Sequence, residues 1–457
     1  MAFHIIWWNN KEAKIGGIII KRRKTNPYFI ILSSFIMFLL AGTGLLSLPV
    51  SQLKPTSFID CLFLATSAFT VTGLSPIDIT EHFSYFGLTV LLILIQAGGL
   101  GLVTLAMIVF IMIGKKVGLK NRFLVSEALN QGNIGGILRL VMYLFFLSLA
   151  IELSGAVFLA MEWIPEFGFW QGLYRSFFTA VSAFNNAGFA LHSDNLVGYR
   201  FNPVINFVIT TLIILGGLGF TVLIDVAKKT SFQKLRVHTK IMLLGTLLIN
   251  VSATIVIFLL EMDNHQTLGG HSWYNQLQMA YFQAITTRTA GFNTIDIGAM
   301  NTDSILVMML LMFIGGGSTS TAGGIKLTTA AVILFGTISF IKQHEQINIF
   351  KRAIDYKILL RSFAIVVLST LIVFTITFLL VLAEPDIPFL KLFFEAVSAF
   401  GTVGLTMGIT DDLSVIGKLL IILMMMIGKV GILTIVFTFS RPRKQTYYFP
   451  KEDILTG

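Results

Sequence analysis

Hydrophobic residues occur along this 457-residue chain in long and short blocks that alternate in a fixed order. A long block of ~20 or more apolar residues, the length that a helix needs to cross a bilayer, is followed by a block about half as long and then by another long block. The short blocks lie at 58–69, 173–184, 276–286 and 389–400. They can enter a bilayer and turn back, but they cannot cross it.

The long blocks are predicted to form eight spanning helices at 28–48, 83–113, 137–161, 202–227, 240–261, 304–341, 358–382 and 415–439. Together with four re-entrant segments they predict an all-α polytopic membrane protein with one central pore. The predicted boundaries are an N-terminal segment at 1–27, four units at 28–114, 137–227, 239–341 and 358–440, and a C-terminal tail at 441–457.

A glycine followed by a bulky apolar residue closes each short block. The four closing segments are Thr70-Val71-Thr72-Gly73, Asn185-Asn186-Ala187-Gly188, Arg288-Thr289-Ala290-Gly291 and Gly401-Thr402-Val403-Gly404. Successive glycines lie 115, 103 and 113 residues apart, and Ser-Ala-Phe precedes the first, second and fourth segments. The third segment deviates, with Thr286 and Thr287 in place of this motif. This pattern predicts four pseudo-symmetric repeats of helix, pore segment and helix.

A second set of glycines recurs in each returning block, 24 to 28 residues after the first set. The second set lies at 98–101, 216–219, 315–317 and 428–431. Matching glycines in two separate registers argue against chance repetition.

Composition supports a membrane location, since 55% of the residues are hydrophobic, 12% are charged and the mean hydropathy is +0.83. The net charge of +10 comes from Lys and Arg in alternate loops, at 21–24, 115–122, 228–240, 342–361 and 441–444. The positive-inside rule therefore predicts a plasma-membrane protein with both termini in the cytoplasm. The distribution of positive charge therefore indicates the topology and an attraction to lipid head groups. It does not indicate a nucleic-acid partner. The single cysteine, Cys61, is assigned to packing.

Re-entrant segments leave non-helical backbone at membrane depth, which is tolerated only inside protein or along a water-filled cavity. The C-terminal end of a short helix attracts cations, and backbone carbonyls beyond it can replace the hydration shell of an ion. Glycine suits such a turn because it accepts a positive φ. Close helix packing explains any single glycine equally well, but it does not explain four matched segments that cannot span. The segments therefore predict a cation filter.

At these residues the chain resembles the Trk/Ktr/HKT superfamily of K⁺ transporters, most closely the KtrB-type bacterial membrane subunits. The resemblance extends from Tyr28 to Phe439, and the run Thr-Thr-Arg-Thr-Ala-Gly-Phe-Asn at 286–293 is among its more specific parts. It implies K⁺ uptake, with K⁺ bound at backbone carbonyls near Gly73, Gly188, Gly291 and Gly404. Some plant relatives carry Ser in the first filter and favour Na⁺, so four glycines imply K⁺ preference. A Na⁺-selective or Na⁺-coupled pathway is the alternative.

The third returning block contains a polar insert, Gly315-Gly316-Gly317-Ser318-Thr319-Ser320-Thr321-Ala322-Gly323-Gly324. Its glycines and hydroxyls predict a break in the helix, and the resemblance implies that the insert is an intramembrane gating loop. A static kink is the alternative. Lys429 interrupts the fourth returning block at the matching level, where a cation faces a cavity or a partner. We predict that Lys429 repels or meters ions beside the insert; snorkelling to the membrane surface is the alternative.

Other polar residues are assigned less specific roles. Glu152, Arg175, Gln283 and Glu395 are predicted to form contacts between units or to coordinate ions. Arg288 is expected to turn away from the pore and to pair with an acidic group, such as one in the outer loops.

The chain contains no nucleotide-binding motif, which argues against an enzyme and against an organic cofactor. The resemblance implies a homodimer and a separate cytoplasmic ring of RCK-type nucleotide-binding subunits, for which the basic loops provide a docking surface. In the other alternative, a non-transporting scaffold, Gly73→Asp or Gly404→Asp would leave cation flux intact.

Overall fold

The computed structural model describes residues 27–101, 137–229, 231–318 and 320–439, with residues 14–15 and 18–19 and the single positions 450 and 452. Most described residues are helical. The helices are α1 (Pro27–Leu46), α2 (Phe58–Thr70), α3 (Ile79–His82), α4 (Tyr85–Leu100), α5 (Ile137–Phe167), α6 (Phe169–Asn185), α7 (Pro203–Leu218), α8 (Phe220–Lys228), α9 (Val237–Glu261), α10 (Trp273–Thr286), α11 (Thr302–Phe313), α12 (Leu327–Ile341), α13 (Tyr356–Ala383), α14 (Phe389–Gly401), α15 (Val415–Val430) and α16 (Ile432–Phe439).

Strands make up a small part of the fold. The first antiparallel pair is β1 (Lys14–Ile15) with β2 (Ile18–Ile19), and the second is β3 (Ile347–Ile349) with β4 (Arg352–Ile354). Four short 3₁₀ turns lie at Pro49–Ser51, Val197–Tyr199, Phe232–Lys234 and Ile297–Ala299.

Three described helices, α5, α9 and α13, are long and apolar enough to cross a membrane. The pair α7 and α8 together would provide a fourth crossing, although the two helices are bent by 93°. These lengths and apolar sequences agree with an all-α polytopic membrane fold.

The short helices α2, α6, α10 and α14 pack between the long helices. Their C-terminal halves are buried, while their N-terminal turns carry exposed aromatic residues such as Phe58, Trp170, Trp273 and Phe389. Buried clusters surround each short helix, and the largest joins α10, α14, α15 and neighbouring residues. The four C-terminal ends therefore meet inside the protein, where the glycine segments follow.

The prediction of continuous returning helices over 202–227 and 415–439 is wrong. Helix α7 ends before Gly219, which has a φ of +97°, and α15 ends before Gly431, which has a φ of +84°. Glycine adopts these angles without steric cost, so each helix ends there and a new one starts directly after it. Similarly, α4 ends before Gly101, with a φ of +81°.

The break predicted for the third returning block is present, since α11 ends at Phe313 and α12 begins at Leu327. Several sequence-based predictions fall outside the described residues. They are the end of the first returning helix to 113, the basic loop at 115–122, Thr319, and most of the segments 1–27 and 441–457.

Candidate functional site

One backbone conformation repeats around the four glycines that follow the short helices. The residue two positions before the glycine has a left-handed φ, of 59° at Val71, 61° at Asn186, 70° at Thr289 and 50° at Thr402. The glycines themselves have φ values of 100°, 71°, 74° and 89° in chain order. Val and Thr rarely adopt a left-handed φ, so surrounding contacts must hold this conformation.

The Ser-Ala-Phe motif supplies some of those contacts. Its serine carbonyl accepts a hydrogen bond from the backbone N–H of the residue before the glycine, at 2.8 Å for Ser67 and Thr72, 2.7 Å for Ser182 and Ala187, and 2.8 Å for Ser398 and Val403. The Ser67 and Ser398 hydroxyls also accept the N–H of Gly73 and Gly404, at 3.0 and 3.1 Å. The motif recurs because it fixes the turn.

The third segment reaches the same shape through different contacts. The Thr286 carbonyl accepts the Ala290 N–H at 3.1 Å, and the Thr286 hydroxyl donates to the Phe292 carbonyl. The Thr289 hydroxyl also donates to the side-chain oxygen of Asn186 at 3.1 Å, which joins the second and third segments.

The four segments contact one another in a closed ring. A Cβ atom on Gly73 would lie 2.6 Å from the Ala187 carbonyl oxygen, and one on Gly188 would lie 2.8 Å from the Ala290 oxygen. Similarly, a Cβ on Gly291 would lie 2.5 Å from the Val403 oxygen, and one on Gly404 would overlap the Thr72 oxygen, which closes the ring. A side chain at any of these glycines would press into a carbonyl of the next segment.

The carbonyls of Thr72, Ala187, Ala290 and Val403 form what we call the carbonyl ring. These four residues are fully buried, and none of their carbonyls accepts a hydrogen bond from the described residues. Buried carbonyls are normally paired, and carbonyls that converge without donors are typical ligands for a dehydrated cation.

The second glycine set lets the returning helices press against the ends of the short helices. Cβ atoms on Gly98, Gly216 and Gly428 would overlap the carbonyls of Phe69, Phe184 and Phe400, respectively. Each phenylalanine lies four residues before a ring glycine. These glycines are therefore required for close packing directly behind the carbonyl ring.

The insert after α11 folds against the ends of two short helices. The Gly317 N–H donates to the Gly217 carbonyl at 2.8 Å, and the Thr321 hydroxyl donates to the Phe184 carbonyl at 3.5 Å. On the other side, a Cβ on Gly323 would overlap the Thr402 side chain, and one on Gly324 would lie 3.2 Å from Gly401. The insert thus joins the second and fourth segments.

Two lysines bind consecutive carbonyls of the insert. The Lys429 ammonium donates to the Thr321 carbonyl at 2.6 Å, and the Lys326 ammonium donates to the Ala322 carbonyl at 2.6 Å. Lys429 therefore holds the insert and does not snorkel to a surface. Sequence reasoning missed Lys326, although a lysine directly after the Gly-Gly-Ile sequence in an apolar block was a visible signal.

The prediction that Arg288 pairs with an acidic residue is wrong. Its side chain is 6% exposed, and it forms no ion pair within the described residues. It extends instead toward the insert, where Nη2 donates to the Gly315 carbonyl at 3.5 Å. The backbone of Arg288 belongs to the third segment, but its side chain lies outside the carbonyl ring.

Glu152 forms a polar cluster that supports the second segment. Its carboxylate accepts hydrogen bonds from Gln96 Nε2 and from Asn185 Nδ2, both at 3.1 Å. Asn185 also donates to Gln96 Oε1 at 2.8 Å. These contacts join α4, α5 and α6 behind the ring, and Gln96 is a further residue that sequence reasoning missed.

The other three polar residues also contact protein groups. Glu395 accepts a hydrogen bond from the Thr410 hydroxyl at 2.6 Å, and Gln283 Nε2 lies 3.9 Å from the sulfur of Met308. Arg175 donates to the Leu191 carbonyl and lies over the Phe167 ring at 4.3 Å. All three therefore lie among protein groups, and ion coordination by any of them stays a prediction.

Comparison with known proteins gives consistent matches over nearly the whole chain. Residues 2–449 match the family model described as "TrkH: Cation transport protein". The chain is 47% identical over 439 residues to the Ktr system potassium uptake protein B of Bacillus subtilis (strain 168), covering 96% of this chain and 98% of that protein. It is 42% identical over 430 residues to the protein of the same description from Vibrio alginolyticus, covering 94% of each.

The fold also matches a solved structure. The crystal structure of the potassium transporter TrkH from Vibrio parahaemolyticus superposes with a TM-score of 0.73, at 19% identity, and the match covers 92% of this chain and 86% of that one. At this identity the match shows a shared fold.

Proposed function

The chain belongs to the TrkH family of cation transport proteins, and we propose that it takes up K⁺ across the cell membrane through the carbonyl ring. The observation that carries this proposal is the set of four buried carbonyls without hydrogen-bond donors in the described residues. Unpaired carbonyls at membrane depth are costly unless they bind a cation or water. The chain is an ion transporter and not an enzyme.

K⁺ is the proposed substrate because two kinds of observation agree. The relatives at 47% and 42% identity are both described as potassium uptake proteins. The ligands in the ring are neutral backbone oxygens, and glycine at all four positions keeps side chains out of it. Na⁺ is the alternative ion. The geometry of the carbonyl ring is compatible both with Na⁺-coupled uptake and with channel-like flux.

We also propose the finer architecture. The chain would contain four repeats, each with two crossings and one re-entrant helix, around a single pore along the axis of the carbonyl ring. The ring closure in the order first, second, third and fourth segment supports this arrangement. Alternating basic loops support a cytoplasmic location for both termini.

The insert of residues 315–324 is proposed to be the gate. Its Thr321 contacts both Phe184, at the end of the second short helix, and Lys429, in the fourth returning helix. Gly323 of the insert also lies against Thr402 of the fourth segment. Because the second and fourth segments face each other across the ring, an insert that reaches from one to the other would lie in the ion pathway. Lys326 and Lys429 would add positive charge there and so raise the barrier for a cation.

A homodimer and a cytoplasmic ring of RCK-type subunits are proposed as partners. The exposed basic residues of loops 228–240 and 342–357 offer an attachment surface for such subunits. A nucleotide-dependent ring would displace the insert by moving α8 or α12, which end at the start of these loops.

A direct test uses bacterial cells that lack their own K⁺ uptake systems. Expression of the chain, with a regulatory subunit supplied, is expected to restore growth at limiting K⁺. The purified protein in liposomes should take up Rb⁺, a tracer for K⁺, and a Na⁺ gradient would distinguish coupled uptake from channel-like flux. Absence of flux in both assays from folded protein would refute the proposal.

A further inference from the structure

An apolar groove of about 1550 Å³ lies between α5, α7, α9 and α10. It runs along α9 from Leu243 to Ile255, a helical distance of about 18 Å. One half of a bilayer core is about 15 Å thick, so the groove can hold an acyl chain along its full length. Its walls include Leu247, 60% exposed, and Phe207, 66% exposed.

One end of the groove is basic. Phe232 lines this end, and the Lys240 ammonium lies 5.4 Å from the centre of its ring. Lys234, Arg236 and Lys240 have no carboxylate within ion-pair distance in the described part of the chain. Three uncompensated cations at one end of an apolar groove match the charge pattern of an acidic phospholipid.

The basic loop at this end has a fixed conformation. Asp225 accepts hydrogen bonds from the Arg236 N–H at 2.9 Å and from the Thr239 hydroxyl at 2.7 Å. The same carboxylate pairs with Lys229 at 2.8 Å. Lys229 thus neutralises Asp225, and the remaining basic residues of the loop keep their net positive charge.

The opposite end of the groove is marked by aromatic residues. Tyr274 lines the groove, and the adjacent Trp273 is 71% exposed. Aromatic residues of this kind are enriched where a membrane meets water. The groove therefore runs from a basic end to an aromatic end.

We propose that this groove binds one acidic phospholipid, with its phosphate on Lys234, Arg236 and Lys240 and an acyl chain along α9. Leu277 and Tyr281 of α10 form the facing wall. The lipid would therefore contact the short helix that precedes Gly291 and would fill the gap between α7 and α9. Its binding would hold α10 in place behind the carbonyl ring.

The test measures the thermal stability of the full-length protein in nanodiscs of phosphatidylcholine with and without phosphatidylglycerol. Phosphatidylglycerol is expected to raise the melting temperature of the wild type. Leu247→Trp, which fills the groove, should abolish this rise. Leu248→Trp should keep it, because Leu248 is exposed to a similar extent, at 67%, but does not line the groove.

Charge removal provides a second arm. Each basic residue near a membrane contributes about fivefold to the binding of an acidic lipid, so the variant K234Q/R236Q/K240Q should bind phosphatidylglycerol roughly 100-fold more weakly in native mass spectrometry. The variant K342Q/K357Q/R361Q removes the same number of positive charges from the end of α12 and the start of α13, and should bind phosphatidylglycerol like the wild type.

Two results would overturn the proposal. One is a phosphatidylglycerol effect that Leu247→Trp leaves intact. The other is efficient disulfide cross-linking of two Leu247→Cys chains, which would show that a second copy of the chain occupies the groove. Neither measurement depends on ion transport, so this proposal can fail while the proposed function stands.

Discussion

Whereas the carbonyl ring is made of backbone from four segments with different sequences, the adjacent insert is a single segment held by side chains. In the ring, Thr-Val-Thr, Asn-Asn-Ala, Arg-Thr-Ala and Gly-Thr-Val all precede glycine and adopt one geometry. In the insert, Lys429 and Lys326 donate to the consecutive carbonyls of Thr321 and Ala322, and Arg288 donates to the carbonyl of Gly315.

This difference separates two requirements of a transporter. Ring geometry is fixed by many backbone contacts and by glycines that touch carbonyls, so it can tolerate different side chains but no added Cβ. The insert is held by a few hydrogen bonds, and those from the charged Arg288, Lys326 and Lys429 side chains contribute about 1.5–3 kcal/mol each. A small change in binding energy could therefore move the insert and leave the ring intact.

The largest effect is expected at the ring. Gly404→Ala places a Cβ against the Thr72 carbonyl at a φ of +89°, so strain of about 1–3 kcal/mol adds to direct overlap. We expect Rb⁺ flux in liposomes to fall by roughly 100-fold. Gly408→Ala is the matched control, because Gly408 has a φ of +75° but has nothing within 4 Å of its Cβ position. Equal losses in both variants would show that strain alone, and not the ring contact, is responsible.

A smaller effect in the opposite direction is expected at the insert. Lys429→Met removes the hydrogen bond to the Thr321 carbonyl, and the loss of one charged hydrogen bond should raise basal flux about tenfold. The measurement is Rb⁺ uptake without a regulatory subunit.

Lys418→Met is the control for this variant, since Lys418 lies on the same helix but pairs with Asp60 at 2.7 Å. It should reduce stability without raising flux. If a folded Lys429→Met protein showed unchanged or lower flux, Lys429 would not be holding a gate closed.

Arg288 distinguishes the two regions most sharply, because its backbone belongs to the ring and its side chain contacts the insert. Its hydrogen bond to Gly315 is long, at 3.5 Å, so Arg288→Met should raise flux only about two- to fivefold. The ratio of K⁺ to Na⁺ uptake should stay unchanged. A change in this ratio would place the side chain in the selectivity mechanism instead.

The smallest effect concerns the loop after Gly188, which lies between α6 and α7 and outside both helices. Burial, and then the nearby Arg175, lower the pKa of His192 from 6.5 to about 4. The unfolded chain therefore binds the proton more readily. Deprotonation of His192 therefore stabilises the folded state by about 2 kcal/mol, after allowance for solvent screening. This stabilisation is complete above pH 6.5 and is lost as the pH falls toward 4.

The melting temperature of the wild type should accordingly fall over this range, and His192→Gln should flatten the fall. His265→Gln, in another outer loop, is the control and should leave the slope as it is. A wild-type slope that persists in His192→Gln would assign the acid sensitivity to another group.

Much of the fold could be predicted because each short block and each glycine turn is a local feature. Block length alone indicated which helices cannot span, and the positions of α2, α6, α10 and α14 agree with the predicted short segments to within a few residues. The breaks at Gly219 and Gly431 were not predicted, since glycine is compatible both with a helix interior and with a positive φ.

The sequence by itself determined the membrane class, the short segments, the four ring glycines and the position of the insert, because these depend on hydrophobicity, length and spacing. Only the tertiary structure decided which groups meet. Ring closure between Gly404 and Thr72 joins residues that are far apart in sequence. Likewise, Arg288 and Lys429 bind the insert because packing places two of its backbone carbonyls beside them. A buried carbonyl needs a donor, and the sequence does not show which donor will be its neighbour.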